Sequence, residues 1–533
     1  MAFSVEYIPY KSTGAFSAIA VDYVAAAEKL KPFYEHQPNV DGVKNAIKQR
    51  EQTATDRLGL VQQLRQQYAA MPASETVQSN IDLLLQENTF TITTAHQPNI
   101  FTGHLYFIYK VLHAIKLAEE LAVQIPGCNF VPVYYMGSED ADLEELGEVS
   151  INGKKYVWET EQQGAVGRMK IDKAFLNLVD GIDGQISVEP FGTEIMGMVR
   201  KAYTIGKTVE LATFQFVHDL FESYGLVILL PDNAALKQQF SSIAKRELTE
   251  QFSSKAVAST METFPEDYKI QAAGRELNLF YLLEDSRERI EKVGKYWQVV
   301  NSDIRFTEEQ LMMELEQFPE RFSPNVILRP VFQELVLPNV AFIGGGGELA
   351  YWLELKAVFA AAGVPYPVLV LRNSFMFINK KVGDKIAALK LATVDVFKAT
   401  NELMSDLVTR ASALQLNLLA ERAELSQLYE KIKTVSTTVD VSLHRHVAAL
   451  HTHADKKLAA LEKKILLAEK KKFEAQERQL IKIKAVLRPN DGLQERVDNI
   501  IPYYALYGKD FIQLLYTHST GFQQQFCIIS QTS

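Results

Sequence analysis

Three polar residues and a glycine around one predicted turn have the types and spacing of a phosphate-binding segment. The stretch HQPNIFTGHL contains His96, Gln97, Gly103 and His104, between a strand-like run and an apolar helix pattern. Helix N–H groups and the helix dipole favour anions at such a position. We therefore expect free N–H groups at Gly103–His104, and histidines that contact phosphate. The same histidines also fit an ordinary polar loop.

Three carboxylates within four residues form a second candidate. Glu139, Asp140 and Asp142 lie in MGSEDADLEEL, directly after an apolar run. Carboxylates at this spacing can hold Mg²⁺ together with water and phosphates, or they can bind a substrate ammonium group. An acidic loop on the surface is the alternative, and the place of the segment at the end of a strand favours a functional role.

A run of four glycines in GGGGELAYW forms a third candidate. Without a Cβ in the way, its N–H groups can approach a ligand closely. Glu348 would then begin a helix, where a carboxylate is favoured, and could simply be a cap. No Lys-Ser or Lys-Thr follows, so this is not a Walker loop, and a structural turn is the alternative. The glycines are Gly344, Gly345, Gly346 and Gly347.

All three candidates follow short apolar runs that predict buried strands. The runs TFTITTA, FVPVYYM and NVAFI precede them, and LVILL and PVLVLR repeat the pattern. Such runs alternating with helical patterns predict a doubly wound α/β sheet of parallel strands. Because the ligand crevice of such a sheet lies at the strand carboxyl ends, the candidates should line one composite pocket.

Changes in pattern divide the 533 residues into several predicted regions. Two long stretches interrupt the alternation of strands and helices and predict insertions. The first of them contains Asn152-Gly153, which predicts a two-residue hairpin turn. The predicted regions are a mostly helical N-terminal extension (1–88), a Rossmann-like core (89–393) with insertions at about 147–222 and 250–326, a helical coiled-coil arm (394–488) and a C-terminal segment returning to the core (489–533).

The predicted arm contains neither glycine nor proline. Leu458, Leu461, Ile465 and Ala468 follow the 3-4-3 spacing of a coiled-coil seam, although Lys472 stands where the next apolar residue belongs. Capping residues in STTVDVSLHRH predict a break into two antiparallel helices, the second about 65 Å long. An apolar seam needs a partner, so we expect a homodimer formed through the arm.

Composition and charge exclude several classes of protein. Hydrophobic residues make up 47% and the net charge is −9, which argues against a nucleic-acid binder. Cys128 and Cys527 are the only cysteines, so no disulfide framework can form. No signal peptide and no uncharged apolar run of about 18 residues is present, so we expect no membrane partner and a cytoplasmic protein.

Four ordered motifs together resemble a known family. They are TGHLYFIYKVLHAIKLA, VPVYYMGSEDADLEEL, LRPVFQELVLPNVAFIGGGGELAYWLELKAVF and GLQERVDNIIPYY. From about residue 90 onwards the chain resembles the cysteine-adding enzymes of bacillithiol biosynthesis. The resemblance implies a Rossmann-like core similar to class I synthetases, a coiled-coil homodimer, and a ligase that joins the cysteine carboxyl to the amine of glucosaminyl-malate. The resemblance implies ATP as the co-substrate. It leaves open whether Mg²⁺ is also needed, and we assign no residues to a metal site.

The resemblance also implies roles for the candidate residues. His96 and His104 would contact the phosphates of the nucleotide. Gln97 and Gly103 would belong to the same nucleotide-binding segment. The carboxylates Glu139, Asp140 and Asp142 would hold the ammonium group of cysteine or a metal. The glycines Gly344–Gly347, followed by Glu348, would line the nucleotide or sugar side, and Arg372 would face the malate carboxylates.

The chain departs from the family pattern at several of these positions. His104 stands where the family usually has proline, and Ala141 replaces a histidine of the acidic loop. Two other functions therefore stay open at this point. One is a nucleotidylyltransferase acting on another small acid, and the other is a non-catalytic coiled-coil interaction protein.

Overall fold

The computed structural model describes residues 2–71, 74–272, 274–412 and 414–532. The chain divides into two compact units. The larger unit consists of residues 7–375 and 495–527, and the smaller unit of residues 376–494 and the two chain ends.

Within these described ranges the strands belong to four sheets. They are β1 (Phe3–Ile8), β2 (Thr89–His96), β3 (Asn129–Met136), β4 (Glu148–Ile151), β5 (Lys154–Val157), β6 (Val227–Leu229), β7 (Leu279–Leu282), β8 (Arg287–Val293), β9 (Tyr296–Val299), β10 (Arg305–Phe306), β11 (Phe322–Pro324), β12 (Asn339–Gly344), β13 (Val368–Leu371), β14 (Ser374–Ile378) and β15 (Phe526–Gln531).

The α-helices of the larger unit are α1 (Ala18–Val24), α2 (Val40–Arg50), α3 (Arg57–Tyr68), α4 (Glu75–Leu83), α5 (Leu105–Gln124), α6 (Leu143–Leu146), α7 (Lys173–Ile186), α8 (Gly192–Ala202), α9 (Val209–Phe221), α10 (Ala234–Glu250), α11 (Phe252–Met261), α12 (Glu308–Gln317), α13 (Arg329–Val336), α14 (Gly346–Leu353) and α15 (Lys356–Ala362), and, near the end of the chain, α21 (Ile500–Tyr507) and α22 (Lys509–His518). The smaller unit has α16 (Lys380–Ala388), α17 (Thr400–Ala411), α18 (Leu419–Val439), α19 (Leu443–Lys470) and α20 (Glu474–Leu487).

The five predicted strands form one parallel sheet in the order β13-β12-β2-β3-β6. β2 pairs with β3 along its whole length, from Thr89 opposite Asn129 to His96 opposite Met136. Every residue of β2 and β12 is buried, as expected of parallel strands with both faces covered. Apolar side chains of α2 and α5 belong to the same buried cluster as those of the sheet. The predicted Rossmann-like fold is confirmed.

The two predicted insertions contain smaller sheets. β4 and β5 form the predicted hairpin, in which Asn152 and Gly153 have φ angles of 52° and 77°. Positive φ at both central residues is the type I′ geometry that suits the twist of a hairpin. The second insertion contains all five strands of an antiparallel sheet in the order β10-β9-β8-β7-β11. This sheet contributes residues to the site described below.

The arm of the smaller unit contains the predicted pair of helices. α18 and α19 are joined by residues 440–442, and Arg422 of α18 pairs with Asp455 of α19 at 2.6 and 2.8 Å. The prediction of one uninterrupted second helix was wrong. α19 ends at Lys470, and a 3-10 turn over Lys471–Phe473 separates it from α20. Lys472, which stands where the next seam residue was expected, lies in that turn, where its exposed side chain pairs with Glu469 at 2.6 Å.

No helix within the described residues is long and apolar enough to cross a membrane.

Candidate active site

A cavity of about 580 Å³ lies at the carboxyl edge of the parallel sheet. Residues that follow β2, β3, β12 and β13 form one side of it, and residues of the antiparallel sheet and its flanking loops form another. Nine of the predicted site residues line this cavity: His96, Gln97, Glu139, Asp140, Gly345, Gly346, Gly347, Glu348 and Arg372.

The glycine turn after β12 is held in place by an ion pair between a buried lysine and a partly exposed glutamate. Lys110 of α5 donates to Glu348 Oε2 at 2.6 Å, and the same oxygen accepts the N–H of Gly345 at 2.8 Å. Among the described residues, the N–H groups of Gly346 and Gly347 have no partner outside the helix. They begin α14, so its positive end faces the cavity. Glu348 is therefore a cap as well as a cavity residue.

Arg372 adds a cation beside this turn. Its guanidinium is buried, with Nη2 donating to Glu495 at 2.7 Å and Nη1 to Ser374 at 2.9 Å. Its Nε has no hydrogen-bond partner among the described residues. A Cβ on Gly345 would lie 3.6 Å from this Nε. The space in front of Gly345 therefore offers an anion a buried donor and helix N–H groups together.

His96 ends β2 and reaches the cavity as a neutral side chain. Its ring stacks on Phe107 with centroids 5.1 Å apart, and its buried Nε2 has no partner among the residues described. Burial, supported by Lys110, His104 and Arg372, holds the pKa of His96 well below its usual 6.5. At neutral pH the ring can therefore donate or accept a hydrogen bond but carries no charge.

The acidic loop after β3 contributes two carboxylates of different character. Glu139 contacts the buried Lys237 of α10, which also donates to the Phe322 carbonyl at 3.0 Å. Asp140 accepts from Gln97 Nε2 at 3.2 Å and forms no ion pair with a described residue. Burial raises the pKa of Glu139, while Lys237 opposes the increase. The loop therefore offers one carboxylate held by a lysine and one that is open to a cation.

Four predicted site residues lie outside the cavity lining: Gly103, His104, Asp142 and Gly344. Asp142 instead caps α6, because its Oδ1 accepts the N–H of Glu145 at 3.2 Å. The prediction of free N–H groups at Gly103–His104 was wrong for Gly103, because its N–H donates to the Ile100 carbonyl at 3.0 Å. The N–H of Leu105, the first residue of α5, is also occupied, since it donates to the Asp498 carbonyl at 2.8 Å. Gly103, with φ of +63°, has a structural role, because a Cβ there would lie 2.8 Å from Asn99.

Sequence reasoning missed most of the basic residues of the site. Four further arginines line the cavity, and the two lysines that hold Glu139 and Glu348 lie behind it. Arg329 and Arg496 belong to motifs quoted above, and Lys110 interrupts an apolar helix, so these three carried a signal. The missed residues are Arg275, Arg287, Arg329, Arg496, Lys110 and Lys237.

The balance of charge indicates what the cavity can bind. Its lining has five arginines against three carboxylates, and lysines neutralise two of those carboxylates. Such a cavity suits a ligand with several negative charges and one cationic group near Asp140. Among the described residues, no group of three or more His, Cys, Asp or Glu is arranged to hold a metal ion. A Mg²⁺ requirement therefore stays a prediction.

Two family descriptions match the chain almost end to end. "Bacillithiol biosynthesis BshC, N-terminal Rossmann-like domain" matches residues 3–373. "Bacillithiol biosynthesis BshC, C-terminal coiled-coil domain" matches residues 375–531.

Similar proteins share the whole length of the chain. A protein of Flavobacterium johnsoniae named "Putative cysteine ligase BshC" is 36% identical, over 98% of this chain and 99% of its own. Proteins of the same name from Flavobacterium psychrophilum and Christiangramia forsetii are 37% and 35% identical. The alignments cover 95% of both chains for the first and 98% of both chains for the second.

Proposed function

The chain belongs to the bacillithiol biosynthesis BshC family and is a ligase, and we propose which reaction it catalyses. In this proposal the enzyme joins the carboxyl group of cysteine to the amine of glucosaminyl-malate, and ATP is consumed. One observation carries this proposal. A single cavity combines an anion site at a helix N-terminus, four further arginines and the carboxylate of Asp140, which pairs with no cation among the described residues.

The anion site suits the phosphates of ATP. Gly345 has no side chain to fill the space, and the N–H groups of Gly346 and Gly347 lie at the positive end of α14. Arg372 Nε has no hydrogen-bond partner in the part of the chain that the structure describes. A charge-assisted hydrogen bond to a buried guanidinium is among the stronger polar contacts in proteins. ATP supplies the leaving group that a free carboxylate lacks, and these residues would hold it.

The remaining charges suit the other two substrates. Asp140 would hold the ammonium group of cysteine, with Gln97 fixing the orientation of its carboxylate. Arg275 and Arg287 would face the malate carboxylates of the acceptor. Arg287 is positioned for this, because its Nε donates to Ser323 at 3.0 Å and its guanidinium lies 4.0 Å from the ring centroid of Phe280.

The proposal can be tested by reconstitution. Purified protein is mixed with cysteine, glucosaminyl-malate and MgATP, and mass spectrometry follows formation of the condensed thiol. We expect product only when all three substrates are present. The nucleotide released, AMP or ADP, identifies whether the carboxyl group is activated as an adenylate or as an acyl phosphate. Product without ATP, or no product with any nucleoside triphosphate, would contradict the proposal.

We also propose that the chain forms a homodimer through α18 and α19. Apolar side chains remain exposed on both helices in the single chain, among them Leu428, Val435 and Leu461. Leu461 also belongs to the predicted coiled-coil seam, and the apolar seam of a coiled coil is buried against a partner helix.

A further inference from the structure

The ion pair between Glu139 and Lys237 has the geometry of a positioned base. Glu139 Oε1 contacts Lys237 Nζ, while its Oε2 has no hydrogen-bond partner among the described residues. The side chain of Lys237 is fully buried behind the cavity, and Glu139 lines it. One carboxylate oxygen is therefore held from behind by a cation, and the other is left for a ligand.

The backbone around Glu139 is fixed on both sides. Val166 N–H donates to the Asp140 carbonyl at 2.8 Å, and Gly167 N–H donates to the Ser138 carbonyl at 3.0 Å. A Cβ on Gly167 would lie 2.5 Å from that Ser138 oxygen, so only glycine permits the approach. The carboxylate of Glu139 is therefore presented to the cavity by a rigid loop.

Charges from several elements face this carboxylate. Lys237 of α10 and Arg287 of β8 favour its ionised form, whereas Asp232 opposes it. Arg168 holds Asp232 with two bonds of 2.8 Å, and Glu210 and Tyr135 also interact with Glu139. Burial is the largest influence and raises the pKa of Glu139 above its usual value. A raised pKa makes a carboxylate a stronger base.

We propose that Glu139 is the general base that accepts the proton of the acceptor amine, and that Lys237 is the positioning residue that holds it ionised for this step. The assignment rests on the proposed function. The amine nitrogen attacks the activated cysteine carboxyl carbon, the C–N bond forms, and the bond from that carbon to the phosphate oxygen breaks. The phosphate-bearing group leaves with the bonding electron pair, and the N–H proton passes to Glu139 Oε2.

Hydroxylamine separates the base from the rest of the reaction. It is unprotonated at neutral pH and intercepts activated carboxyl groups without help from a base. We expect wild-type protein with cysteine and MgATP to form cysteine hydroxamate, and with glucosaminyl-malate to form the ligated product. In Glu139→Gln, hydroxamate formation should stay within about threefold of wild type, while ligation should fall at least about 100-fold, a typical contribution of a general base.

The outcomes distinguish this proposal from the proposed function. Equal losses of hydroxamate and ligated product in Glu139→Gln would show that Glu139 acts in substrate binding or activation, and would overturn its role as a base. Unchanged ligation would overturn it as well. Absence of both products from wild-type protein would instead overturn the proposed function, and this assignment with it.

Lys237 is tested by the pH dependence of ligation. Its cation favours the ionised carboxylate, so Lys237→Met should raise the pKa of Glu139. The acidic limb of the rate profile should then move to higher pH by about one to three units, the usual effect of a close opposite charge. Lys237→Arg keeps the charge, so its acidic limb should lie at the same pH as that of the wild type. A rate that falls equally at all pH values would indicate a purely structural lysine and would overturn the positioning role.

A folding defect would not obscure the result. Glu139→Gln leaves Lys237 buried without its counterion, which can destabilise the protein strongly. The double variant Glu139→Gln/Lys237→Met removes both charges together. If the single variant does not fold, the double variant takes its place in the hydroxylamine comparison, with the same expected loss of ligation and retention of hydroxamate. Loss of both products there would overturn the assignment.

Discussion

Lys110 and Glu348 form an ion pair that links two adjacent strand–helix units of the parallel sheet. Lys110 lies on α5, which follows β2, and Glu348 lies on α14, which follows the neighbouring strand β12. The side chain of Lys110 is 1% exposed, whereas that of Glu348 is 24% exposed and lines the cavity. If its partner were removed, the Glu348 carboxylate could be solvated by water, whereas the Lys110 ammonium group could not.

This asymmetry predicts unequal effects on stability. Glu348→Gln leaves an uncompensated ammonium group in the interior and should lower the free energy of unfolding by about 3 kcal/mol. Lys110→Met leaves a carboxylate that water can reach, so its loss should be smaller. Urea denaturation of both variants, and of the double variant, measures the difference. A larger loss for Lys110→Met than for Glu348→Gln would contradict the interpretation.

Gly345→Val should block the anion site without unfolding the protein. The φ of Gly345 is −73°, which a side chain tolerates, and a Cβ there would lie 3.4 Å from Glu348 Oε2, an ordinary contact. The added methyl groups would fill the space beside Arg372 Nε. Calorimetry should show nucleotide affinity reduced at least about tenfold, which corresponds to about 1.4 kcal/mol.

A matched change elsewhere controls for the effect of a larger side chain. Gly184 is an exposed glycine of α7, and a Cβ there meets no atom within 4 Å. Gly184→Val should leave nucleotide affinity unchanged. Normal nucleotide binding and normal turnover in Gly345→Val would show that the glycine turn contacts no ligand.

The two histidines of the first loop should differ in their effect on nucleotide binding. His96 lines the cavity and its Nε2 has no partner among the residues that the structure describes, whereas His104 lies outside the lining. His96→Ala removes one hydrogen bond and should weaken nucleotide binding about fivefold, or roughly 1 kcal/mol. His104→Ala should change the affinity less than twofold. The reverse order would move the phosphate site to the start of α5.

Much of the site could be predicted because it follows directly from strand ends. An apolar run fixes where a parallel strand stops, and the next residues must lie at the carboxyl edge of the sheet. His96, Glu139 and Gly345 were predicted for this reason, and all three line the cavity. Arg372, which was predicted from the family resemblance, lines it as well. Asp142 shows that closeness in sequence to a cavity residue does not by itself place a residue in the cavity. It lies two residues beyond Asp140, yet the pattern from Asp142 to Glu145 is that of a helix cap.

The basic side of the cavity could not be predicted from local pattern. Arg275 and Arg287 come from the second insertion, whose place over the sheet edge depends on long-range packing. Lys237 lies 98 residues from Glu139 in sequence, on a helix whose pattern carries no sign of a buried cation. A contact between two such positions depends on the tertiary fold, and periodicity within either segment does not encode it.

Leu461→Glu should separate the proposed dimer into monomers. Leu461 is 48% exposed in the single chain, so the substitution leaves the contact between α18 and α19 in place. In a twofold dimer each substitution appears twice, and burying a carboxylate in an apolar interface costs several kcal/mol. Light scattering at micromolar concentration should therefore show a dimer for wild type and a monomer for Leu461→Glu. Lys457→Glu, at an exposed position of the same helix, should remain a dimer. A monomeric wild-type protein, or a Leu461→Glu variant that stays dimeric, would contradict assembly through this face.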